Sequence, residues 1–224
     1  SALGWVTAKV LRPGAERKGI TFFAVTFANT VFLGFPVIEA MYGADGIFIA
    51  TISNIPFNLM AYTVGYGAVR GGMKGLTLRK ALAPPLVASF VAVLIFLSGV
   101  EIPEFVADCF GSMSGATIPM SMLIVGTSLG SVSLKGAAEN WRVFVVVAIK
   151  LIVAPILAWL VTSLFVKDEM LLGVIVVLSS APTAMIATIF AIEAGRDEGY
   201  PSECVFIGTV LSAVTMPLMI WLLL

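Results

Sequence analysis

Histidine is missing from the 224 residues. Its absence removes the commonest general base, the commonest metal ligand and the side chain that titrates near neutral pH. Two cysteines, Cys109 and Cys204, are too few for a disulfide scaffold and form no metal-spacing motif. Charge is scarce as well: Asp, Glu, Lys and Arg make up 12% of the chain, against about 25% in a soluble domain. Thirteen basic and thirteen acidic residues cancel, so neither a nucleic-acid-binding surface nor an acidic disordered tail is expected. No phosphate-cradling glycine-lysine loop occurs, which argues against a pump driven by ATP on this chain. Together these absences exclude a zinc protein, a secreted mini-protein and most hydrolases, and no cofactor is expected. Apolar residues take up what is left, at 59% of the chain with a mean hydropathy of +1.06. That composition is an integral membrane protein's.

A bilayer core of about 30 Å needs about 20 apolar residues in a helix. Seven segments qualify: 20–41, 47–69, 81–100, 105–130, 141–166, 170–192 and 204–224. Turn residues or charge separate them, as in Gly43–Gly46 (GADG), Arg70–Lys80 (RGGMKGLTLRK) and Gly195–Glu203 (GRDEGYPSE). The runs are continuously apolar and lack the alternation of a membrane β-barrel. The predicted class is all-α and polytopic. Ser1–Leu11 is too short to span and has no basic start like a signal peptide's, so it reads as the tail of a helix. Lys and Arg divide unevenly between alternate loops. Lys9, Arg12, Arg17, Lys18, Arg70, Lys74, Arg79, Lys80, Lys135, Arg142 and Arg196 fall on one side and Lys167 on the other, while Lys150 lies inside a span. The positive-inside rule makes the first side cytoplasmic and puts the C-terminus outside, in a cell membrane.

Two stretches resemble each other: Phe27–Gly43 (FANTVFLGFPVIEAMYG) and Ser180–Arg196 (SAPTAMIATIFAIEAGR). Ala28-Asn29-Thr30 aligns with Ala181-Pro182-Thr183, and Ile38-Glu39-Ala40 with Ile192-Glu193-Ala194 after one gap. They occupy the first and sixth spans, an odd offset, so they cross in opposite senses. That is the condition for an inverted-topology repeat, common in secondary transporters. The expected division is 1–69 for the rest of a first repeat, 70–80 for a cytoplasmic linker and 81–224 for a second repeat. A five-span repeat calls for about 70–85 further residues before Ser1; the alternative is a natural seven-span chain.

Five phrases then occur in a specific order. Asn29, Thr30, Gly34 and Pro36 spell N-T-x-x-x-G-x-P ahead of Tyr42-Gly43, and Asn58 precedes Tyr62-Thr63. Gly115-Ala116-Thr117-Ile118-Pro119 precedes Gly126-Thr127-Ser128-Leu129, Lys150 precedes Pro155, and Ala181-Pro182-Thr183 follows. In this order they resemble helices four, five, seven, eight and nine of the auxin efflux carrier family, whose bacterial members are assigned as malonate and other organic-acid permeases. The resemblance implies ten helices in two inverted five-helix repeats, with broken helices four and nine crossing near the membrane centre. This chain would cover the end of helix three through helix ten. Plant members carry a second proline deeper in helix nine, where this sequence has Ala187 or its neighbours.

The residues themselves suggest how such a crossover could bind an anion. Pro36 lacks an N–H and crowds the carbonyl of Phe32, and Gly34 lowers the cost of unwinding, so a break is expected at Gly34–Pro36 and another at Pro182. Each second half would present a helix N-terminus with unpaired N–H groups, and two of these at mid-membrane suit a carboxylate. A plain proline kink is the other reading. Asn29 and Thr183 lie beside the breaks as substrate ligands or as helix-to-helix glue. Asn54 and Asn58 share a helix face, and Asn58 carries the family phrase. Lys150 sits about 13 Å into its span, too deep to snorkel. With no acid at its depth, its expected partners are carbonyl ends of the broken helices, with anion binding or proton coupling as further roles. Thr117, Ser121, Ser128, Ser179, Ser180, Thr183 and Thr188 either line a path or satisfy helix carbonyls.

The function expected is secondary transport of a small organic anion, malonate-like or auxin-like, by alternating access around the crossover. The partners that follow are that anion, a coupling proton or sodium ion, the lipid bilayer and a second copy of the chain, with no nucleic acid. A non-transporting scaffold or sensor subunit and an intramembrane enzyme are the alternatives. The lack of histidine and of paired mid-membrane carboxylates weighs against the enzyme.

Overall fold

The structure, a computed structural model, describes residues 2–72, 84–100, 102–130 and 140–224. The linker beyond Gly72, the first residues of the 81–100 span, Lys74, Arg79, Lys80, Lys135 and the side chains of Ile118, Ser121, Gly126, Ser128 and Leu129 lie outside the described residues. Within them the chain is helical, and no β-strand is present beyond one isolated bridge. In order the helices are α1 (Ala2–Val10), α2 (Ala15–Thr26), α3 (Phe35–Met60), α4 (Tyr66–Arg70), α5 (Pro84–Ser98) and α6 (Glu104–Gly130). They continue as α7 (Trp141–Ala148), α8 (Ala154–Ser163), α9 (Glu169–Ser180), α10 (Ile186–Glu193) and α11 (Gly199–Leu223). Of three π-turns, Ala61–Gly65 and Ile149–Val153 join neighbouring helices into longer rods, and Thr30–Gly34 leads into α3. Among the described residues, Thr30–Arg70, Trp141–Ser163 and Gly199–Leu223 are long and apolar enough to cross a membrane. The chain is an all-α membrane protein.

Local chemistry explains most boundaries. Asp168 caps α9 by accepting the Leu171 N–H at 2.7 Å. Pro182 ends the same helix by forcing Ala181 into extended geometry, φ −64° and ψ 145°. The 41-residue segment Thr30–Arg70 is interrupted at Gly43, whose φ of 62° suits glycine. The chain doubles back there, because Thr30 Oγ1 donates to Asn54 Oδ1 at 2.9 Å. In one straight helix those residues would lie about 36 Å apart. The stretches on either side of Gly43 are therefore separate helices that lie side by side.

Packing is tightest around α2. Phe23 stacks on Phe27 with ring centroids 4.7 Å apart and meets Phe190 at 5.5 Å; Tyr66 reaches the same ring at 5.0 Å. Gly19 faces the backbone carbonyl of Ala68 so closely that no side chain fits between α2 and α4. At one end of the bundle Arg17 pairs with Asp197 at 3.4 Å, Arg196 with Glu16 at 3.5 Å, and Arg196 donates to the Arg70 carbonyl at 3.1 Å. At the other end the Tyr42 hydroxyl packs on Gly173. The outer surface is apolar: Phe165, Trp221 and Phe105 are 82%, 79% and 78% exposed. Such a surface suits hydrocarbon and not water.

Candidate functional site

Both broken helices open where they cross. α2 stops at Thr26, the chain runs extended through Phe27 (φ −104°, ψ 120°), and helical structure resumes at Thr30. α9 stops at Ser180 and α10 starts at Ile186. The two extended pieces pair antiparallel as a single bridge, Ala28 opposite Thr183. The Asn29 N–H donates to the Pro182 carbonyl at 2.7 Å, and the Ala184 N–H donates to the Phe27 carbonyl at 3.0 Å. The Thr183 hydroxyl adds a bond to the Ala24 carbonyl, near the end of α2, at 3.0 Å. Each break thus satisfies the other's backbone, as hydrocarbon requires.

The first break differs from its expected place. It lies at Phe27–Asn29 and not at Gly34–Pro36, where the backbone is helical. Pro36 instead follows the π-turn Thr30–Gly34, in which the Phe35 N–H reaches the Thr30 carbonyl five residues back. The wider turn accommodates the proline ring without opening the helix. Pro155 is handled the same way, with the Ala154 N–H bonded to the Ile149 carbonyl. The pairing across the bridge also differs from the sequence match. Ala28 stands opposite Thr183, two positions from the Ala28–Ala181 match that sequence similarity suggests.

A cavity of about 570 Å³ lies beside the crossover. The last residues of both first halves line it, Val25 and Thr26 of α2 and Leu178 and Ser179 of α9, together with Ala28, Thr30 and Asn54. Apolar side chains such as Phe57, Leu157 and Val161 make most of the remaining wall. Lys150 lines it too and is the one charged residue to do so among the described residues. It is 3% exposed and its ammonium donates to the Ser179 carbonyl at 3.2 Å. That carbonyl belongs to the end of α9, where partial negative charge collects, so the ammonium offsets a helix dipole. An ammonium carries three N–H donors, and this bond uses one. The Thr26 hydroxyl is buried with no protein partner among the described residues.

The expected residues therefore separate into two groups. Lys150 lines the cavity. Asn29, Pro182 and Thr183 are buried in the crossover itself and do not line it, and Pro36 is a turn further along. The Asn29 side-chain nitrogen is buried without a partner. Asn58 is half-buried and off the cavity, whereas Asn54, one turn earlier, is buried on it. The first turn of α10 is likewise off the cavity, so its walls carry the C-terminal ends of α2 and α9 and, at Thr30, the start of one second half and not of both. The positive charge at this site comes from a side chain. Of the hydroxyls expected on a path, Ser180 bonds to the Val176 carbonyl at 2.8 Å, Thr117 to Met113 at 3.3 Å, and Thr188 pairs with Ser202 at 3.3 Å. These satisfy their helices or one another. Thr26, Ser53 and Thr162 are polar cavity residues that sequence reasoning did not name; of the i, i+4 pair of asparagines, Asn54 lines the cavity and Asn58 does not.

Thr183→Val keeps the side-chain shape and deletes the bond to Ala24. The expected result is a loss of about 1–3 kcal/mol in stability, the usual range for a buried group left unpaired. A thermal scan of the purified protein measures it. An unchanged scan would show that the crossover does not depend on this bond.

The membrane transport protein family matches residues 1–75 and 69–220 of this chain. An uncharacterized transporter of Methanothermobacter thermautotrophicus is 29% identical over 218 residues, covering 96% of this chain and 70% of that protein. Another uncharacterized transporter, of Methanocaldococcus jannaschii, is 27% identical over 216 residues, covering 93% and 70%. The matched residues include both broken helices, Lys150 and the cavity between them. On this match, and in line with its resemblance to auxin efflux carriers, the chain belongs to the membrane transport protein family.

Proposed function

We propose that this membrane transporter moves a small organic anion across the cell membrane by alternating access around the helix crossover. One observation carries the reading: a buried lysine is, among the described residues, the lone charge on a cavity of mostly apolar and otherwise neutral walls beside two broken helices. A charge placed inside a membrane protein is costly and marks a pathway by default. Here the ammonium holds the Ser179 carbonyl with one donor, which leaves capacity for a carboxylate entering the cavity. The unpartnered Thr26 hydroxyl and the Thr30–Asn54 pair supply neutral hydrogen bonds on the same wall. The apolar remainder suits the body of a malonate-like or auxin-like acid. Residues 1–69 and 81–224 act as inverted repeats joined by the linker 70–80, and the end holding Arg17, Arg70 and Arg196 faces the cytoplasm. A proton or sodium ion as the coupling species, and pairing of two copies, complete the proposal.

Counterflow of a labelled carboxylate into proteoliposomes tests this. The protein should exchange labelled malonate or an aromatic carboxylate against the same unlabelled acid. Asn54→Ala should raise the half-saturating concentration about tenfold, since about 1.4 kcal/mol is one hydrogen bond's worth here. Asn58→Ala should change it less than twofold. No counterflow with any carboxylate would favour the scaffold or sensor reading, and equal effects at both asparagines would move the site off this cavity.

A further inference from the structure

A second, smaller cavity lies at the turn between α1 and α2. It measures about 360 Å³ and is lined by Ala8, Lys9, Arg12, Pro13, Gly14 and Lys18. Half of these residues are cations and none is acidic. The nearby acids are engaged elsewhere, Glu16 with Arg196 and Asp197 with Arg17. No carboxylate pairs with Lys9, Arg12 or Lys18 among the described residues. Three like charges around one hollow repel one another, and an anion relieves that repulsion.

The backbone favours the same occupant. Gly14 precedes α2 and no side chain caps that 12-residue helix, so its first N–H groups have no side-chain acceptor. Helix N-termini of this kind bind phosphate. The turn is held at both ends: the Leu11 N–H bonds to the Thr7 carbonyl at 2.9 Å and the Lys18 N–H to the Gly14 carbonyl at 3.1 Å. Between them Arg12 has a φ of 42°, a conformation uncommon outside glycine. The cations are therefore presented on a defined loop.

What adjoins the hollow identifies the source of the phosphate. Lys18 Nζ lies 5.8 Å from the centre of the Trp5 ring, and Trp5 is half-exposed on α1. Val6 and Val10, one turn apart on α1, are exposed apolar residues nearer the turn. Tryptophan beside lysine at the end of an apolar helix face is the signature of the headgroup layer. An acyl chain can run along Val6 and Val10 while its headgroup reaches the hollow. We infer that the α1–α2 turn is a binding site for the phosphate headgroup of an anionic phospholipid, set by Lys9, Arg12 and Lys18. Basic pockets at the ends of membrane helices take such headgroups, at about 1 kcal/mol per cation near the surface.

The test is retention of phosphatidylglycerol against phosphatidylcholine by the full-length protein, read by native mass spectrometry after detergent exchange. The protein should keep phosphatidylglycerol in preference. Lys9→Gln, Arg12→Gln and Lys18→Gln should each lower that preference about fivefold, and the triple variant should abolish it. Lys167→Gln, a cation at the opposite end, should leave it unchanged. Should the triple variant fail to fold, the exposed Lys9→Gln alone gives the same readout. Equal preference in the protein and its variants would overturn the assignment. So would thermal stabilisation by millimolar inorganic phosphate that matches phosphatidylglycerol, since the site would then belong to a soluble anion.

Discussion

Lys150→Met is expected to lower carboxylate counterflow by about 10- to 100-fold, with Lys150→Arg retaining more activity than Lys150→Met. The ammonium acts in a cavity with no other charge among the described residues. It meets the carbonyl end of α9 through Ser179, and it is the one side-chain cation a bound anion could meet there. A hydrogen bond to a charged group contributes about 1.5–3 kcal/mol, and each 1.4 kcal/mol is a factor of ten in affinity. Methionine fills a similar volume and removes both. It also relieves the cost of a buried charge, so the variant should insert and fold at least as well as the parent. Loss of transport with intact folding is therefore the expected signature. A Met variant that transports normally would reduce Lys150 to a tolerated residue and remove the support for the anion reading.

The second large effect is structural. A Cβ placed on Gly19 overlaps the backbone carbonyl of Ala68, and backbone cannot rotate aside as a side chain can. Gly19→Ala should therefore separate α2 from α4 and strain the cluster of Phe23, Tyr66 and Phe190 packed beside them. Overpacking of this kind costs about 1–3 kcal/mol. In a chain of this size each kcal/mol moves the melting temperature by about 2–4 °C. Gly72→Ala is the matched control, because a Cβ there meets nothing within 4 Å, and surface substitutions of that sort stay within about 0.5 kcal/mol. Similar melting curves for the two variants would mean that the helices do not approach as closely as the structure has them.

These residues also mark where sequence reasoning works. The second break was readable because proline acts locally: Pro182 disfavours a helical conformation at Ala181, which is extended. The reversal at Gly43 was readable for the same reason, since glycine there supports a positive φ. Lys150 was readable from depth alone, and the lack of any acid at that depth left a helix-end carbonyl as the partner the structure shows. The first break was not readable. No residue between Phe27 and Asn29 forbids a helix; the chain opens there because Pro182 and Ala184, more than 150 positions away, take up its backbone groups. Pro36 misled because a π-turn can absorb a proline that would otherwise break the helix. The choice of Asn54 over Asn58 also depended on a partner, Thr30, that only the folded hairpin brings near. Close approach at Gly19 leaves no sequence signal beyond the glycine.

The paired crossover has a mechanical consequence. Its two hydrogen bonds, Asn29 to Pro182 and Ala184 to Phe27, sit where neither water nor lipid can replace them, and each unpaired group would cost several kcal/mol. Sliding one extended piece past the other by a residue would break both at once and turn every side chain to the opposite side. In the alternating access proposed above, the crossing point would therefore act as a pivot and not as a sliding joint. Any motion that turns the cavity from one face of the membrane to the other must carry Ala28 and Thr183 together, and the travel has to be taken up by the helices around them.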